Sequence, residues 1–166
     1  MRPDQSPAIR LKDYVAPAWR IESVHLDVTL DDSRTRVVAQ SVFSPQTEEP
    51  ASLILDGDEL VLESIAIDDV VLSQEDYRIE RHALILSSPP HRRFTLTVTT
   101  RLDPAANTKL MGLYRSSGNY CTQCEAEGFR RITYFLDRPD VMSVYTTRIT
   151  AKRDEAPILL GNGNPI

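Results

Sequence analysis

The stretch CTQCEAEGFRRITYFLDRPD, from Cys121 to Asp140, concentrates the residue types that could do chemistry. Cys121 and Cys124 form a C-x-x-C pair, which is half of a zinc site or the pattern of a redox couple. A structural zinc needs four ligands, usually two such pairs or one pair with two histidines. The histidines are His25, His82 and His91; they fall on different elements, and none stands three to five residues from another. A thioredoxin-like pair opens a helix after a strand of a βαβ unit. Here the pair falls on the arm of a β-hairpin, where positions 121 and 124 point to opposite faces. Two half-buried structural thiols are therefore expected, with no metal held by this chain. Gln123 and Glu125 suggest a different use. Two apart on a strand, they share a face, and an amide carbonyl beside a carboxylate accepts a cation with several donors, such as a primary ammonium. From the residues alone, a polar outer face explains this pair more simply.

The rest of the sequence holds no catalytic motif. There is no H-E-x-x-H, no G-x-S-x-G and no Gly-rich phosphate loop. The net charge of −5 disfavours nucleic acid and anionic membranes as partners, because neither would meet a basic surface. The doublets Arg92-Arg93 and Arg130-Arg131 are isolated and read as solvated or salt-bridged surface. No apolar run reaches the ~20 residues that span a bilayer, and MRPDQSPAIRLKDY carries no signal-peptide core. A cytoplasmic location is expected.

The elements that must position the stretch are strands. Residues 1–13, with Pro3 and Pro7, read as a loose arm, and 14–166 as a single β domain. From Ile21 to Leu30, Val24, Leu26, Val28 and Leu30 alternate with polar residues, the period of a half-buried strand. Asp31-Asp32-Ser33 turns it into a second strand carrying Val37, Ala39, Ser41 and Phe43. Further strands are expected at 52–56, 61–68, 76–80, 83–86 and 94–102, with a hairpin over 112–115 and 120–124 and a last strand at 144–151. Turn signals every 8–12 residues or so indicate an all-β, mostly antiparallel sandwich or barrel-like domain. The helix candidate is Glu127 to Leu136, one or two turns long. The closing GNGNPI reads as a loop in mid-course, so the chain is expected to be part of a longer polypeptide.

TQCEAEGFRRITYFLDRPDV closely resembles the N-terminal domain of bacterial aminopeptidases N, zinc enzymes of the gluzincin class. KDYVAPAW at 12–19, LDPAANTKLMGLYRSSGNYCTQCEAEGF at 102–129 and PILLGNGN at 157–164 extend the resemblance over essentially the whole chain. The resemblance implies a β-sandwich or saddle. It also implies a catalytic domain further along the chain, carrying H-E-x-x-H, a downstream Glu for zinc and a G-x-M-E-N motif, none of which is present in these residues. The Q-x-E motif of that family reaches across to the catalytic domain and binds the free α-amino group of a peptide substrate. It falls here on Gln123 and Glu125. Glu127, Arg130 and Asp137 keep a structural reading of turn formation and local ion pairing. The resemblance further implies that these residues alone are inert toward aminoacyl amides. It leaves a partly exposed apolar face over Tyr120–Phe135, through which the fragment could self-associate. The competing reading is a stand-alone β-sandwich module that binds protein or carbohydrate.

Overall fold

The computed structural model describes residues 10–166. After a 3₁₀ turn at Leu11–Asp13 that buries nothing, the chain forms eleven strands: β1 Trp19–Thr29, β2 Thr35–Pro45, β3 Leu53–Asp56, β4 Val61–Ile67, β5 Val70–Val71, β6 Arg78–Glu80, β7 Ala83–Leu86, β8 Phe94–Leu102, β9 Gly112–Ser116, β10 Asn119–Gln123 and β11 Val144–Thr150. Six make one sheet in the order β11-β1-β2-β8-β4-β5, three make a second in the order β3-β7-β6, and β9 with β10 forms a separate hairpin. Pairing is antiparallel except between β1 and β11. The domain is all-β, as the alternating pattern indicates. The described part of the expected arm, 10–13, is the exposed turn; the remainder of the arm lies outside the described residues.

Alternation explains the core. Val37, Ala39 and Phe43 of β2 and Phe94, Leu96 and Val98 of β8 face inward, and Leu53, Leu55, Leu84 and Leu86 meet them from the smaller sheet. The pattern slips once on β1, where Ile21 and Val24 are both buried although three apart. A bulge between Ile21 and Ser23 supplies the extra residue, so both side chains reach the same face. The Phe43 and Phe94 rings stack with centroids 5.6 Å apart, and Trp19 closes on Phe94 edge-on.

Two details extend or depart from the sequence reading. Asp68 and Asp69 end β4, as expected, but they do so as a tight turn and not as the start of a loop. Both adopt positive φ (48° and 67°), a conformation Asp tolerates, and fold β4 back into the short β5. The helix expected over Glu127–Leu136 is a single 3₁₀ turn at Phe129–Arg131. Ile132, Thr133, Tyr134 and Phe135 are β-branched or aromatic and have weak helix propensity. The backbone groups of Phe135 pair with Asp56 instead, at 2.7 and 3.0 Å. After the 3₁₀ turn, residues 132–137 thus run as irregular chain beside β3, joined to it by one isolated bridge. They are tied to the larger sheet as well, because Thr100 on β8 donates its hydroxyl to the Ile132 carbonyl, 3.1 Å away in the interior.

Replacing Thr100 by Val keeps the shape and orphans that carbonyl, an expected loss of about 1–3 kcal/mol. Denaturant unfolding of wild type and Thr100→Val, compared at equal m, checks this; an unchanged midpoint would show that the bond adds nothing.

Candidate functional site

The site is built around the end of the β9–β10 hairpin. β10 stops at Gln123, and Glu125 to Gly128 form a turn. The period-two argument that put Gln123 and Glu125 on one strand face therefore does not apply, because Glu125 lies beyond the strand. The two are linked instead through the turn. The Gln123 amide nitrogen lies 3.5 Å from the Glu125 carbonyl oxygen, a long contact. The Glu125–Ala126 peptide is cis. Gln123, Glu125, Ala126 and Glu127 are all exposed. Among the described residues, no hydrogen bond or ion pair engages the Glu125 carboxylate, while Glu127 is paired at 3.0 Å with Arg130.

The turn is tight because Gly128 closes it. Its N–H donates to the Cys124 carbonyl at 2.8 Å. A Cβ on Gly128 would stand 2.8 Å from the Cys124 Cα and 3.1 Å from the Gln123 carbonyl oxygen, closer than side chains are found. Gly128 is the residue that lets the chain fold back against the motif.

Behind the turn lies a charged anchor. Arg130 donates through Nε to Asp137 at 2.7 Å, through a terminal nitrogen to the Asp137 carbonyl at 2.9 Å and to Glu127 at 3.0 Å; its backbone N–H also reaches the Asp137 carboxylate at 3.1 Å. Asp56 completes the group at 3.8 Å. Burial pushes the Asp56 carboxyl above its ordinary range, and the neighbouring guanidinium offsets only part of that. Partial burial works against the Arg130 charge, but the hydrogen bond with Asp137 and the charges of Asp56, Asp137 and Glu127 together outweigh it and hold the guanidinium more firmly protonated. Glu127, Arg130 and Asp137 thus make the turn and local ion pairs expected of them.

Arg131 forms a second anchor. It is 9% exposed, so the expectation that both arginine doublets lie at the surface is wrong for this residue. Its guanidinium engages Asp58, Glu59 at 2.5 Å and the Met111 carbonyl at 3.1 Å. A buried guanidinium persists only with such partners. The acidic run Asp56-Gly57-Asp58-Glu59 was legible only as the end of a strand; its role as counter-charge depends on a contact across about seventy residues of chain.

The thiols are free, with Cys121 on β10 and Cys124 just past its end. Burial lifts the Cys124 thiol from an ordinary value near 9.0 to about 11. The histidines stay apart: His25 and His91 are exposed, and His82 lies 3.5 Å from Asp58. Among the described residues, no three His, Cys, Asp or Glu side chains gather closely enough to hold a metal ion, so the zinc implied by the resemblance has no ligand set here. No helix among the described residues is long and apolar enough to cross a membrane. The apolar face expected over Tyr120–Phe135 is displaced. Its exposed part is the polar turn, and Ile132 to Leu136 are buried. The exposed apolar residues follow it, at Met142 (85%), Val144 (72%) and Tyr145 (46%), with the Tyr145 ring edge-on to Phe129.

Fold and site together define a two-sheet β domain that presents one unpaired carboxylate beside an amide on a braced turn. Comparison with known proteins gives it a family. Residues 20–166 match the Peptidase M1 N-terminal domain, and the chain belongs to that family. It is 45% identical to Aminopeptidase N of Caulobacter vibrioides across all of this chain and 19% of that protein. Against Aminopeptidase N of Escherichia coli it is 44% identical, over 98% of this chain and 18% of that one. The chain therefore spans about a fifth of the length of these relatives. The crystal structure of Legionella pneumophila aminopeptidase A in complex with aspartic acid superposes with a TM-score of 0.85 at 32% identity, over 93% of this chain and 18% of that one. An M1 zinc metallopeptidase from Deinococcus radiodurans shares the fold, with a TM-score of 0.68 at 14% identity over 82% of this chain and 33% of that one.

A thiol with its pKa near 11 in place of 9.0 carries about 100-fold less thiolate at pH 8, so Cys124 should alkylate correspondingly slowly. Iodoacetamide labelling of a Cys121→Ser variant, followed by mass, should show a rate that keeps rising up to about pH 11. A plateau near pH 9 would contradict the burial argument.

Proposed function

We propose that this chain acts as the N-terminal domain of a zinc-dependent aminopeptidase that removes N-terminal amino acids from peptides. In this reading, Gln123 and Glu125 accept the hydrogen bonds of the substrate's α-ammonium group. The observation that carries it is the state of Glu125: its carboxylate is unpaired at the tip of a braced turn, while its neighbour Glu127 is already neutralised by Arg130. Membership of the M1 N-terminal domain family supplies the context.

The chemistry suits an exopeptidase. A chain end presents a positive charge and three donors, and a mid-chain peptide presents neither. Acceptors left unpaired in a closed site cost free energy, so such a site turns away substrates that lack the terminal amine. The Glu125 charge provides attraction and the Gln123 carbonyl a further acceptor that fixes direction. Zinc, in this proposal, would take its ligands from a catalytic domain, because the described residues offer none. That domain and peptides with a free N-terminus are then the partners. A stand-alone binding module is disfavoured by where the aromatic side chains go. Trp19 and Tyr134 are buried in the core, and the exposed Tyr14 and Tyr145 are engaged within the domain, by Asp140 and by the Phe129 ring, instead of standing free as a binding patch.

In the enzyme that carries this domain, Glu125→Gln keeps the shape and removes the charge. Loss of one partner of a closed charge pair costs roughly 2–5 kcal/mol, or about 30-fold to a few thousand-fold in kcat/KM. Gln123→Ala should cost less, about 1–3 kcal/mol. Steady-state kinetics on an alanine amide checks both, and near-wild-type activity of Glu125→Gln would sink the assignment.

A further inference from the structure

Resting on that reading of Gln123 and Glu125, we propose that Arg130 is the positioning residue of the ammonium-accepting turn. It acts through Glu127 and the turn, without touching the substrate. The turn from Glu125 to Gly128 has few ties to the body of the domain. Gly128 closes it onto Cys124, and its carbonyl accepts from the Arg131 N–H at 3.1 Å. Met111 packs against Gly128, and the one side chain among the described residues that hydrogen-bonds the turn to the interior is Arg130. Its Nη2 holds both Glu127 at 3.0 Å and the Asp137 carbonyl at 2.9 Å, and its Nε holds the Asp137 carboxylate, 7% exposed at its side chain, at 2.7 Å. Asp137 is fixed in turn, because its N–H donates to the Asp56 carboxylate at 3.2 Å. A rigid, planar fork can keep these separations fixed where a flexible ammonium could not.

Arg130 also decides which carboxylate is free. Glu127, Asp137 and Asp56 lie within 3.8 Å of it, and Glu125 has no such partner. Without the guanidinium, Glu127 would become a second unpaired carboxylate two residues from Glu125. An incoming ammonium would then meet two competing acceptors on a loosened turn. The expected result is weaker and less directed amine recognition, expressed in KM more than in kcat, because the contact exists before the chemical step.

The test uses the intact enzyme that carries this domain, and a pair of competitive inhibitors: a dipeptide amide and its des-amino analogue, with hydrogen in place of the ammonium. The readout is the ratio of their inhibition constants. Arg130→Met should shrink the wild-type ratio about 10-fold or more while leaving des-amino binding within about 2-fold, since the loss is confined to a charge-assisted contact. In a Glu125→Gln background the same substitution should add less than about 2-fold, because the two act as one unit. Glu127→Gln alters an exposed residue and leaves the Arg130–Asp137 pair in place. It should shrink the ratio by about 3-fold and decides the matter if Arg130→Met does not fold. Equal losses for both inhibitors, or equal losses in both backgrounds, would mean a purely structural role and overturn the proposal. So would an unchanged ratio in Arg130→Met and Glu127→Gln while Glu125→Gln abolishes it; the acceptor reading would then survive alone. An unchanged ratio in Glu125→Gln would overturn the acceptor reading, and the positioning role with it.

Discussion

The pairing of Asp56 with Phe135 is the constraint on which the rest of the site depends. Two backbone hydrogen bonds, 2.7 and 3.0 Å long, join the end of β3 to a segment with no regular structure of its own. Phe135 is buried, so its amide and carbonyl would be orphaned away from water if they did not pair there. With the pairing made, residues 130–137 are held between the two sheets, and Thr100 secures them from the other side. Arg130 and Arg131, adjacent in sequence, are thereby delivered to separate clusters of carboxylates. The acceptor turn hangs from the start of this segment, and its rigidity derives from the segment's burial.

A carboxylate at the tip of an exposed turn is a weak device on its own. At 4 Å, an ammonium and a carboxylate attract by about 1 kcal/mol in water and by about 4 kcal/mol at an effective dielectric near 20. The proposed role of Glu125 therefore needs a second surface that covers the turn and excludes solvent. The same logic explains why the neighbouring charges are paired. Under such a cover an unpartnered Glu127 would be costly, and Arg130 removes that cost within the domain itself. Tyr145 lies exposed beside the aromatic pair Phe129 and Phe135, and Met142 and Val144, close to it in the chain, are exposed as well. The domain thus presents apolar area and a fixed carboxylate on neighbouring parts of its surface.

Much of the fold was legible because alternation is a local signal. Val24 and Leu26, or Phe94, Leu96 and Val98, announce a strand and its inner face without reference to anything distant. The bulge in β1 could be read only after the partner strand was known. The segment 130–137 was misread for the same reason. Its β-branched and aromatic residues speak against helix, but a contact with Asp56, some eighty positions away, decided their form. At the site, Gln123 and Glu125 stood out through a resemblance, and the geometric reason first given for their association was wrong. Glu127 and Asp137 were legible as local ion partners of Arg130, whereas Asp58 and Glu59, the counter-charges of Arg131, carried no sequence signal, since ion pairs across a fold have no fixed spacing.

The measurement that bears most directly on the central claim is a crystal structure of the intact enzyme carrying this domain, with an amine-bearing dipeptide inhibitor bound. The account predicts the inhibitor's amine nitrogen within about 3.2 Å of both the Gln123 amide oxygen and a Glu125 carboxylate oxygen, with Arg130 still bridging Glu127 and Asp137. An amine held by other carboxylates, with Gln123 and Glu125 beyond hydrogen-bond reach of about 3.5 Å, would contradict it.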